Sequence, residues 1–196
     1  MCGRYYIDET AEAEIRKLVM RAEKGIQMYG KMDIYPGSRA PVIIKDRNYE
    51  LSEELFPWGF PGFQNKGLVI NARAESVAEK KMFRDSVQNR RCVIPAAGFY
   101  EWNKKKEKYT FTKTDGEILY FAGIYNLYDY ENRFVILTTQ ANESMVRVHD
   151  RMPLILSKEE IEDWILDGGR AEEMLGKDSG ELVAQSDYEQ QVLKFE

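Results

Sequence analysis

Apolar side chains recur at helical spacing in two segments of the chain. The first segment spans Thr10–Lys24 and is followed by Gly25, a residue that commonly ends a helix. The second opens at Ser157, where Ser-Lys-Glu-Glu has the form of a capping box. The residues predicted to form its apolar face are Ile161, Trp164 and Ile165. These patterns predict one amphipathic helix early in the chain and another late in it.

Shorter apolar runs bounded by turn residues occupy most of the chain between these helices and predict β-strands. A hairpin is expected over Ala40–Leu51, with its turn at Asp46–Asn48. The other predicted strands are Gly67–Ile70, Cys92–Pro95, Gly98–Trp102, Tyr109–Thr112, Ile118–Tyr125 and Phe134–Thr139. A short helix is predicted around Val77–Val87, with Met82 and Phe83 facing inward. Antiparallel strands with a few flanking helices predict an α+β fold whose core is a curled antiparallel β-sheet or barrel.

Length and composition are those of one globular domain. With 196 residues, 43% of them hydrophobic, the chain can bury one substantial core, and we expect a single domain over residues 1–196. No apolar run has the roughly 20 residues that a membrane span needs. The amino terminus lacks the apolar stretch of a signal peptide, and the two cysteines suit a reducing compartment. We therefore expect a cytoplasmic monomer with no membrane association.

The balance of charge argues mildly against a nucleic-acid binder. The chain has 28 Lys and Arg against 33 Asp and Glu, a net charge of −5. However, binding to phosphates requires cations at the binding site and does not require a positive net charge on the whole protein. The acidic residues concentrate in the predicted helices, whereas arginines lie near the unusual motifs described next. Acidity therefore weakens a nucleic-acid function without excluding it.

Cys2 is the residue with the most distinctive chemistry. Initiator methionine is normally removed before a small residue, and removal of Met1 would leave an α-amine beside the thiol. The reference pKa values of these groups are about 7.7–8.0 and about 8.5. A 1,2-aminothiol condenses with an aldehyde, and the thiol then closes the imine into a thiazolidine. The ring-opened sugar of an abasic nucleotide is one of the few macromolecular aldehydes in biology. The alternative is a buried, inert cysteine.

Four other side chains are candidate site residues, each with an ordinary structural alternative. Glu101 lies in an aromatic stretch that would desolvate its carboxylate and make it a general acid, but simple alternation on a half-exposed strand also explains it. His149 lies in a polar loop or strand edge and could transfer protons or be structural. Asn71 and Arg73 follow a strand at alternate positions, which suits a phosphate or a surface salt bridge with Glu75.

Four motifs in this chain resemble those of the SOS-response-associated peptidase (SRAP) family of abasic-site processing proteins. The motifs are Met1–Tyr5, Asn71–Glu75, Arg91–Trp102 and His149–Pro153. Each is weak alone, but together they are specific and they span nearly the whole chain. The resemblance implies a curled antiparallel sheet with flanking helices and a positively charged channel for single-stranded DNA.

The resemblance also implies a role for individual residues. Cys2 would be the nucleophile, attached to the abasic sugar through its amine and its sulfur. Asn71 would orient the terminus, Glu101 would act as acid and base, and His149 would move a proton and contact the phosphate of the site. Six residues are expected to contact DNA: Arg4, Pro36, Arg73, Lys81, Trp102 and Arg151. No cofactor is implied. The partner would be single-stranded DNA that contains abasic sites, and weak lyase activity and self-catalysed removal of Met1 are expected beside the crosslink.

Departures from the family and rival functions remain open at this stage. Phe63-Gln64 stands where relatives often carry tryptophans, which puts one stacking contact in doubt. One rival is a cysteine peptidase with Cys2 and His149 as a catalytic dyad. A second is a binder of single-stranded DNA that forms no covalent bond. A zinc site is disfavoured, because Cys2, Cys92 and His149 lack the clustered spacing of metal ligands.

Overall fold

A computed structural model describes residues 2–19 and 30–186 of the chain. The strands are β1 (Arg4–Ile7), β2 (Met32–Ile34), β3 (Arg39–Lys45), β4 (Leu51–Pro57), β5 (Phe60–Pro61), β6 (Leu68–Val69), β7 (Asn71–Arg73), β8 (Arg91–Ala96), β9 (Gly98–Trp102), β10 (Lys108–Lys113), β11 (Leu119–Tyr128), β12 (Glu131–Gln140), β13 (Arg151–Pro153), β14 (Ile155–Leu156) and β15 (Leu182–Ser186). The helices are α1 (Glu9–Leu18), α2 (Arg84–Asn89), α3 (Glu160–Leu166) and α4 (Gly168–Met174), with single 3-10 turns at Phe63–Asn65 and Ala74–Ser76.

Two sheets carry the fold, and their strands are mainly antiparallel. The first has the order β15-β10-β9-β1-β2, and the second has the order β13-β12-β11-β8-β3-β4, with β14 paired to β11 and β7 paired in parallel to β12. A small third sheet joins β5 to β6. The predicted α+β class is confirmed. The sheets of the described residues are open rather than closed into a barrel: a single bridge between Trp58 and Phe134 joins the end of β4 to β12.

Aromatic side chains fill the space between the two large sheets. Phe99 of β9 packs in parallel on Phe111 of β10, with ring centroids 5.1 Å apart, and meets Phe121 of β11 edge-on at 5.8 Å. Tyr5 of β1 also contacts Phe121 and the indole of Trp58 edge-on, and all five rings are fully buried. These contacts fix β1, which begins two residues after Cys2, against the second sheet.

Helix α1 confirms the first predicted helix only in part. Asp8 caps its amino terminus by accepting hydrogen bonds from the backbone N–H groups of Thr10 and Ala11. The helix ends at Leu18, because Val19 is already extended, with φ −103° and ψ 124°. The rest of the predicted segment, from Met20 to the stop at Gly25, lies outside the described residues.

The later helices differ more from their predicted bounds. Helix α2 begins at Arg84 rather than Val77, because residues 77–83 form consecutive turns. Phe83 is buried as expected, but the prediction that Met82 faces inward is wrong, since 39% of this residue is exposed. In α3 the predicted apolar face is buried, and the carboxylate of Glu160 accepts from the backbone N–H of Ser157 at 2.7 Å. None of the helices in residues 2–19 and 30–186 has the length and apolar character needed to cross a membrane.

Arg91, the first residue of β8, ties two helices to the second sheet. Its buried guanidinium donates to the carbonyl oxygens of Val87 and Gln88 at the end of α2 and of Trp164 and Ile165 at the end of α3. The negative ends of two helix dipoles therefore surround one cation. This arrangement lets a positive charge be buried without a directly paired carboxylate.

Replacing Arg91 with alanine should lower the free energy of unfolding by about 3–5 kcal/mol, because four buried carbonyl groups lose a charged donor. Denaturant unfolding measures the change. Arg170→Ala is the control, since Arg170 is exposed and pairs with Asp163 and Glu173 at the surface, so its loss should change the free energy of unfolding far less than the loss of Arg91. Equal losses in the two variants would contradict the role of Arg91.

Candidate functional site

Cys2 lies between the sheets at the start of β1 and is completely buried. Its sulfur makes one weak contact, with the carbonyl oxygen of Arg4 at 4.0 Å. Burial raises the pKa of the Cys2 thiol well above its ordinary value, and the nearby charge of Glu101 raises it further. The thiol is therefore held in its protonated form at neutral pH.

Asn71 connects Cys2 to the second sheet. Strand β7, which begins at Asn71, pairs in parallel with β12, with Asn71 opposite Ile136. The Nδ2 amide of Asn71 donates to the carbonyl oxygen of Cys2 at 3.0 Å. Its Oδ1 atom is buried and accepts no hydrogen bond within the described part of the chain. The Nδ2 atom of Asn71 thus binds the Cys2 backbone, and the Oδ1 atom of the same amide can accept a further hydrogen bond.

The position of Asn71 is set by a buried tryptophan. The indole N–H of Trp58 donates to the carbonyl oxygen of Ile70 at 2.9 Å, and the backbone N–H of Ile136 donates to the same oxygen at 3.1 Å. The Trp58 ring also stacks in parallel on Phe134 and contacts Tyr5 edge-on. Trp58 therefore links the segment before Asn71 to the strand after Cys2.

Glu101 is buried on β9, with 6% of the residue exposed. Side chains alternate along a strand, so Glu101 faces the same side as Phe99, toward the space between the sheets, while Tyr100 and Trp102 face the outer side. Arg4 lies opposite Tyr100 where β1 pairs with β9, so Glu101 lies beside the segment that leads from Cys2 into β1, and its charge contributes to the raised pKa of the Cys2 thiol. The structure thus brings Cys2, Asn71 and Glu101 to one buried locus.

His149 lies in the loop before β13 and is partly exposed. Its Nδ1 atom accepts a hydrogen bond from the backbone N–H of Arg151 at 3.0 Å and lies 2.9 Å from the exposed carboxylate of Asp150. One neutral nitrogen cannot both accept from Arg151 and donate to Asp150. The hydrogen bond from the Arg151 backbone is the more firmly fixed of the two, because the Asp150 side chain is exposed. With Nδ1 as an acceptor, the ring proton lies on Nε2.

A cleft of about 570 Å³ borders this loop. It is lined by Trp102, Asn103, Lys104, Lys105, Val146, Arg147, Val148, His149 and Asp150. Cys2, Asn71 and Glu101 do not line it. His149 and Trp102 therefore face an open, mainly cationic cleft, while the other three candidate residues lie buried between the sheets.

Two of the residues expected to contact DNA already pair with protein carboxylates. Arg4 forms an ion pair with Asp33. The buried Arg151 donates to both carboxylate oxygens of Glu75, at 2.8 and 2.9 Å, and to the carbonyl oxygen of Thr138 at 2.6 Å. Glu75 thus pairs with Arg151 rather than forming the alternative salt bridge with Arg73. These bonds fix both arginines in place.

The other expected DNA contacts are exposed. Pro36 lies in a turn in which the N–H of Ser38 donates to the carbonyl oxygen of Tyr35, and Gly37 has the positive φ of 88° that a type II turn requires. Arg73 and Lys81 are exposed and have no ion-pair partner in the described part of the chain. Trp102 is 37% exposed.

Comparison with known proteins identifies the family. A family model described as SOS response associated peptidase (SRAP) matches residues 1–192. This chain belongs to the SRAP family. It is 31% identical over 196 residues to the abasic site processing protein YedK of Escherichia coli (strain K12), covering 94% of this chain and 86% of YedK. It is 38% identical over 184 residues to the abasic site processing protein YoqW of Bacillus subtilis (strain 168), covering 84% of this chain and 80% of YoqW.

Solved structures share the fold of this SRAP chain. A protein from Bacteroides thetaiotaomicron matches with a TM-score of 0.80 and 23% identity, covering 94% of this chain and 91% of that one. A phage-related protein from Bordetella bronchiseptica matches with a TM-score of 0.77 and 24% identity, covering 94% of this chain and 93% of that one. At this level of identity, the likeness concerns the fold alone.

Two side chains near Arg4 are absent from the residues that the sequence singled out. On the outer face of the first sheet, Asp33 pairs with Arg4 and accepts a hydrogen bond from Tyr100, and Lys31 lies over the Tyr100 ring. Their positions near Arg4 depend on the pairing of β1 with β2 and β9, which no local sequence pattern reveals. The loop at 104–108 is visibly cationic in the sequence, and that signal could have pointed to the cleft.

Trp58→Phe should displace Asn71, whereas Trp164→Phe should not. Both residues are fully buried, and each donates its indole N–H to a backbone carbonyl at 2.9 Å, to Ile70 and Cys92 respectively. Each variant should lose about 1–3 kcal/mol of unfolding free energy. Only Trp58→Phe should shift the side-chain amide resonances of Asn71 in an NMR spectrum. Unchanged Asn71 resonances in Trp58→Phe would contradict the positioning role.

Acid should weaken the contact between Glu75 and Arg151. Hydrogen bonds from Arg151 lower the pKa of Glu75, so the stabilisation is present above the ordinary value of about 4.3 and disappears as the pH falls through the lowered value. Because half of the Glu75 side chain is exposed, the effect should be less than about 1 kcal/mol. Glu75→Gln should flatten this part of the stability profile between pH 5 and 3, whereas Glu143→Gln at an exposed loop position should leave it unchanged. Identical profiles in Glu75→Gln and the unmodified protein would refute the assignment.

Proposed function

We propose that this protein processes abasic sites in single-stranded DNA by covalent capture of the sugar aldehyde at Cys2, after removal of Met1. Two relatives that match most of the chain carry the name abasic site processing protein. The observation that carries the proposal is the hydrogen bond from the Asn71 amide to the Cys2 carbonyl, with Glu101 buried on the neighbouring strand β9. This hydrogen bond fixes the backbone of Cys2, and therefore the position of the α-amine that removal of Met1 would free.

Removal of Met1 consumes one water, and capture by the freed terminus then consumes one aldehyde and releases one water. Hydrolysis of the bond between Met1 and Cys2 frees the α-amine, which attacks the aldehyde carbon of the ring-opened sugar to form a carbinolamine. Loss of water gives the imine. The sulfur then adds to the imine carbon, the new C–S bond closes the thiazolidine, and the thiol proton passes to the ring nitrogen. No oxidant or cofactor takes part in this sequence.

A protonated thiol favours this order of events over attack by a thiolate. The cysteine peptidase alternative needs a thiolate at Cys2, the form that burial disfavours. An amine-first mechanism needs the thiol only after the imine has formed, when the electrophile is already attached beside it. The peptidase reaction would also need His149 against the sulfur, and His149 instead lines the cleft and bonds to the backbone of Arg151.

The remaining site residues act on protons and on the terminus. In the proposal, Oδ1 of Asn71 accepts a hydrogen bond from the free amine of Cys2, since this buried oxygen lies on the amide that already binds the Cys2 carbonyl. Glu101 delivers the proton needed to expel water from the carbinolamine. His149, with its ring proton on Nε2, contacts the phosphate of the lesion from the cleft and exchanges protons there.

The DNA strand would lie on the cationic surface that borders this site. Lys104, Lys105 and Arg147 are exposed in the cleft beside Trp102, so phosphates and a stacked base can be bound together. Arg73 and Lys81 provide further exposed cations, and neither forms an ion pair within the described part of the chain. Local positive charge thus offsets the overall negative charge of the chain.

Denaturing gel electrophoresis after incubation with an abasic single strand tests this proposal. The unmodified protein should form a heat-stable adduct, and Cys2→Ala should form none. Cys92→Ala is the matched control, since Cys92 is the other buried cysteine and should leave the adduct unchanged. Asn71→Ala and Glu101→Gln should slow adduct formation by about 10- to 100-fold, as the loss of a positioning or proton-transfer group does.

Two outcomes would point to the rival functions instead. Cleavage of peptides that depends on Cys2, with no DNA adduct, would indicate a peptidase. Equal affinity for intact and abasic strands with no adduct would indicate a binder without covalent chemistry. An adduct that persists in Cys2→Ala would place the reactive group elsewhere.

A further inference from the structure

The cleft beside His149 has two walls, and one of them is a loop that strand pairing alone does not fix. The first wall is residues 102–105, at the end of β9 and in the connection to β10. The second is residues 146–150, part of the connection from β12 to β13. We call this connection, residues 141–150, the His149 loop. It contains neither helix nor strand, and residues 143–148 form consecutive turns, so its shape depends on individual hydrogen bonds.

Backbone hydrogen bonds fold the His149 loop around two of its own carbonyl groups. The carbonyl oxygen of Asn142 accepts from the N–H groups of Met145 and Val146, at 3.1 and 2.9 Å. The carbonyl oxygen of Met145 accepts in turn from the N–H groups of Val148 and His149, at 2.9 and 3.1 Å. The side chain of Met145 is completely buried and anchors the middle of the loop. The backbone of His149 is therefore connected to Asn142 through Met145.

The side chain of Asn142 ties the His149 loop to the segment before β15. Its Nδ2 atom donates to the carbonyl oxygen of Gly180 at 2.6 Å and to Oδ1 of Asp178 at 3.3 Å. Its Oδ1 atom accepts from the backbone N–H and from the hydroxyl of Ser144, at 3.1 and 2.6 Å. The Ser144 hydroxyl oxygen also accepts from the backbone N–H of Leu182, the first residue of β15, at 3.2 Å. Both ends of the Asn142 amide thus take part in one connected set of hydrogen bonds.

The segment to which Asn142 binds is itself anchored to both large sheets. The hydroxyl of the buried Ser179 donates to the carbonyl oxygen of Pro153 at 3.0 Å and accepts from the backbone N–H of Ile155 at 3.1 Å. Pro153 ends β13 and Ile155 begins β14, two strands of the second sheet, whereas β15 pairs with β10 in the first sheet. Residues 178–182 therefore give Asn142 a fixed point of attachment.

We propose that Asn142 is a positioning residue for His149 and sets where the imidazole lies in the cleft. Asn142 does not line the cleft, so it acts through the His149 loop and not by contact with DNA. The inference rests on the proposed function, in which His149 contacts the phosphate of the lesion and exchanges protons. Without the side-chain hydrogen bonds of Asn142, the loop takes several shapes and the ring several positions. Proton transfer then slows, because it requires the donor and acceptor at hydrogen-bonding distance.

NMR spectra of the ring of His149 test the positioning without any DNA. His149 is the only histidine in the chain, so its ring signals are identified at once. The unmodified protein should show one set of signals, with the nitrogen shifts of the Nε2–H tautomer. Asn142→Ala should shift or broaden these signals, because the ring then exchanges among several positions.

Asp46→Ala is the matched control for the loss of a loop hydrogen bond. The Oδ1 atom of Asp46 accepts from the backbone N–H groups of Asn48 and Glu50, at 2.7 and 3.0 Å, in the hairpin between β3 and β4. Asp46→Ala and Asn142→Ala should both lower the midpoint of denaturant unfolding. Asp46→Ala should leave the ring signals of His149 and the rate of adduct formation unchanged.

A double-mutant cycle on the rate of adduct formation separates positioning of His149 from other effects. Asn142→Ala should slow the adduct with an abasic single strand about 10-fold, less than the roughly 100-fold that a 1 Å misplacement can cost. The variant with both Asn142→Ala and His149→Ala should react no more slowly than His149→Ala alone. Residues that act as one unit are not additive, so the second substitution has nothing further to remove.

A paired exchange tests the hydrogen bond between Asn142 and Asp178. Asn142→Asp retains the acceptor for Ser144 but places a carboxylate against that of Asp178, so it should slow the adduct as Asn142→Ala does. Adding Asp178→Asn supplies a donor from the other side and should bring the rate back toward that of the unmodified protein. Asp178→Asn alone should have little effect, because its Oδ1 atom still accepts from Asn142.

Three results would overturn the inference. They are unchanged ring signals in Asn142→Ala, a double variant much slower than His149→Ala, and equal slowing by Asp46→Ala. Circular dichroism verifies that each variant is folded; if Asn142→Ala is not, Asn142→Asp with and without Asp178→Asn decides, and no recovery would refute the role. If the unmodified protein forms no adduct, the proposed function fails, whereas the NMR comparison still decides whether Asn142 positions the ring.

Discussion

The hydrogen bond from the Asn71 amide to the Cys2 carbonyl is the contact on which the site depends. It joins the segment before β1, in the first sheet, to β7 on the second sheet. Asn71 in turn follows Ile70, whose carbonyl oxygen is bound by both the indole of Trp58 and the backbone of Ile136. Sheet packing, the Trp58 bridge and the location of Cys2 are therefore parts of one connected arrangement.

Burial of Cys2 has two chemical consequences that act together. It raises the pKa of the thiol, which favours the protonated form, and in the proposed function it would limit the access of water to the imine. An exposed aminothiol would react with any small aldehyde, whereas a buried one reacts only with an aldehyde that the protein delivers. In the proposed function, the cationic cleft would bind the strand to which the aldehyde belongs and so deliver it.

The sequence predicted most of the strands and the general location of the chemistry, since both rest on local signals. Turn residues bound the hairpin of β3 and β4, and motif residues identified Cys2, Asn71, Glu101 and His149 as candidates. Family membership is confirmed, while the roles of those residues remain predictions. The α+β class is also confirmed, but local periodicity could not distinguish an open pair of sheets from a barrel, because that difference depends on which distant strands pair with each other.

Other features depend on contacts between distant residues and were not predictable. Arg151 was expected to meet phosphate, and the structure shows its guanidinium bound to Glu75, 76 positions away. Met82 was predicted to face inward because a helix was expected to begin at Val77, but turns occupy that segment and expose it. The three cations around Tyr100 come from three separate strands or their ends, so no window of sequence contains them together.

Intact-mass spectrometry of the protein before and after incubation with an abasic single strand tests the central claim most directly. The account predicts that the protein before incubation lacks Met1, and that after incubation it gains the mass of the oligonucleotide minus one water. The gain should appear only in the fraction without Met1. A protein that retains Met1 and still gains this mass, or one that lacks Met1 and gains nothing, would contradict capture through the amine and thiol of Cys2.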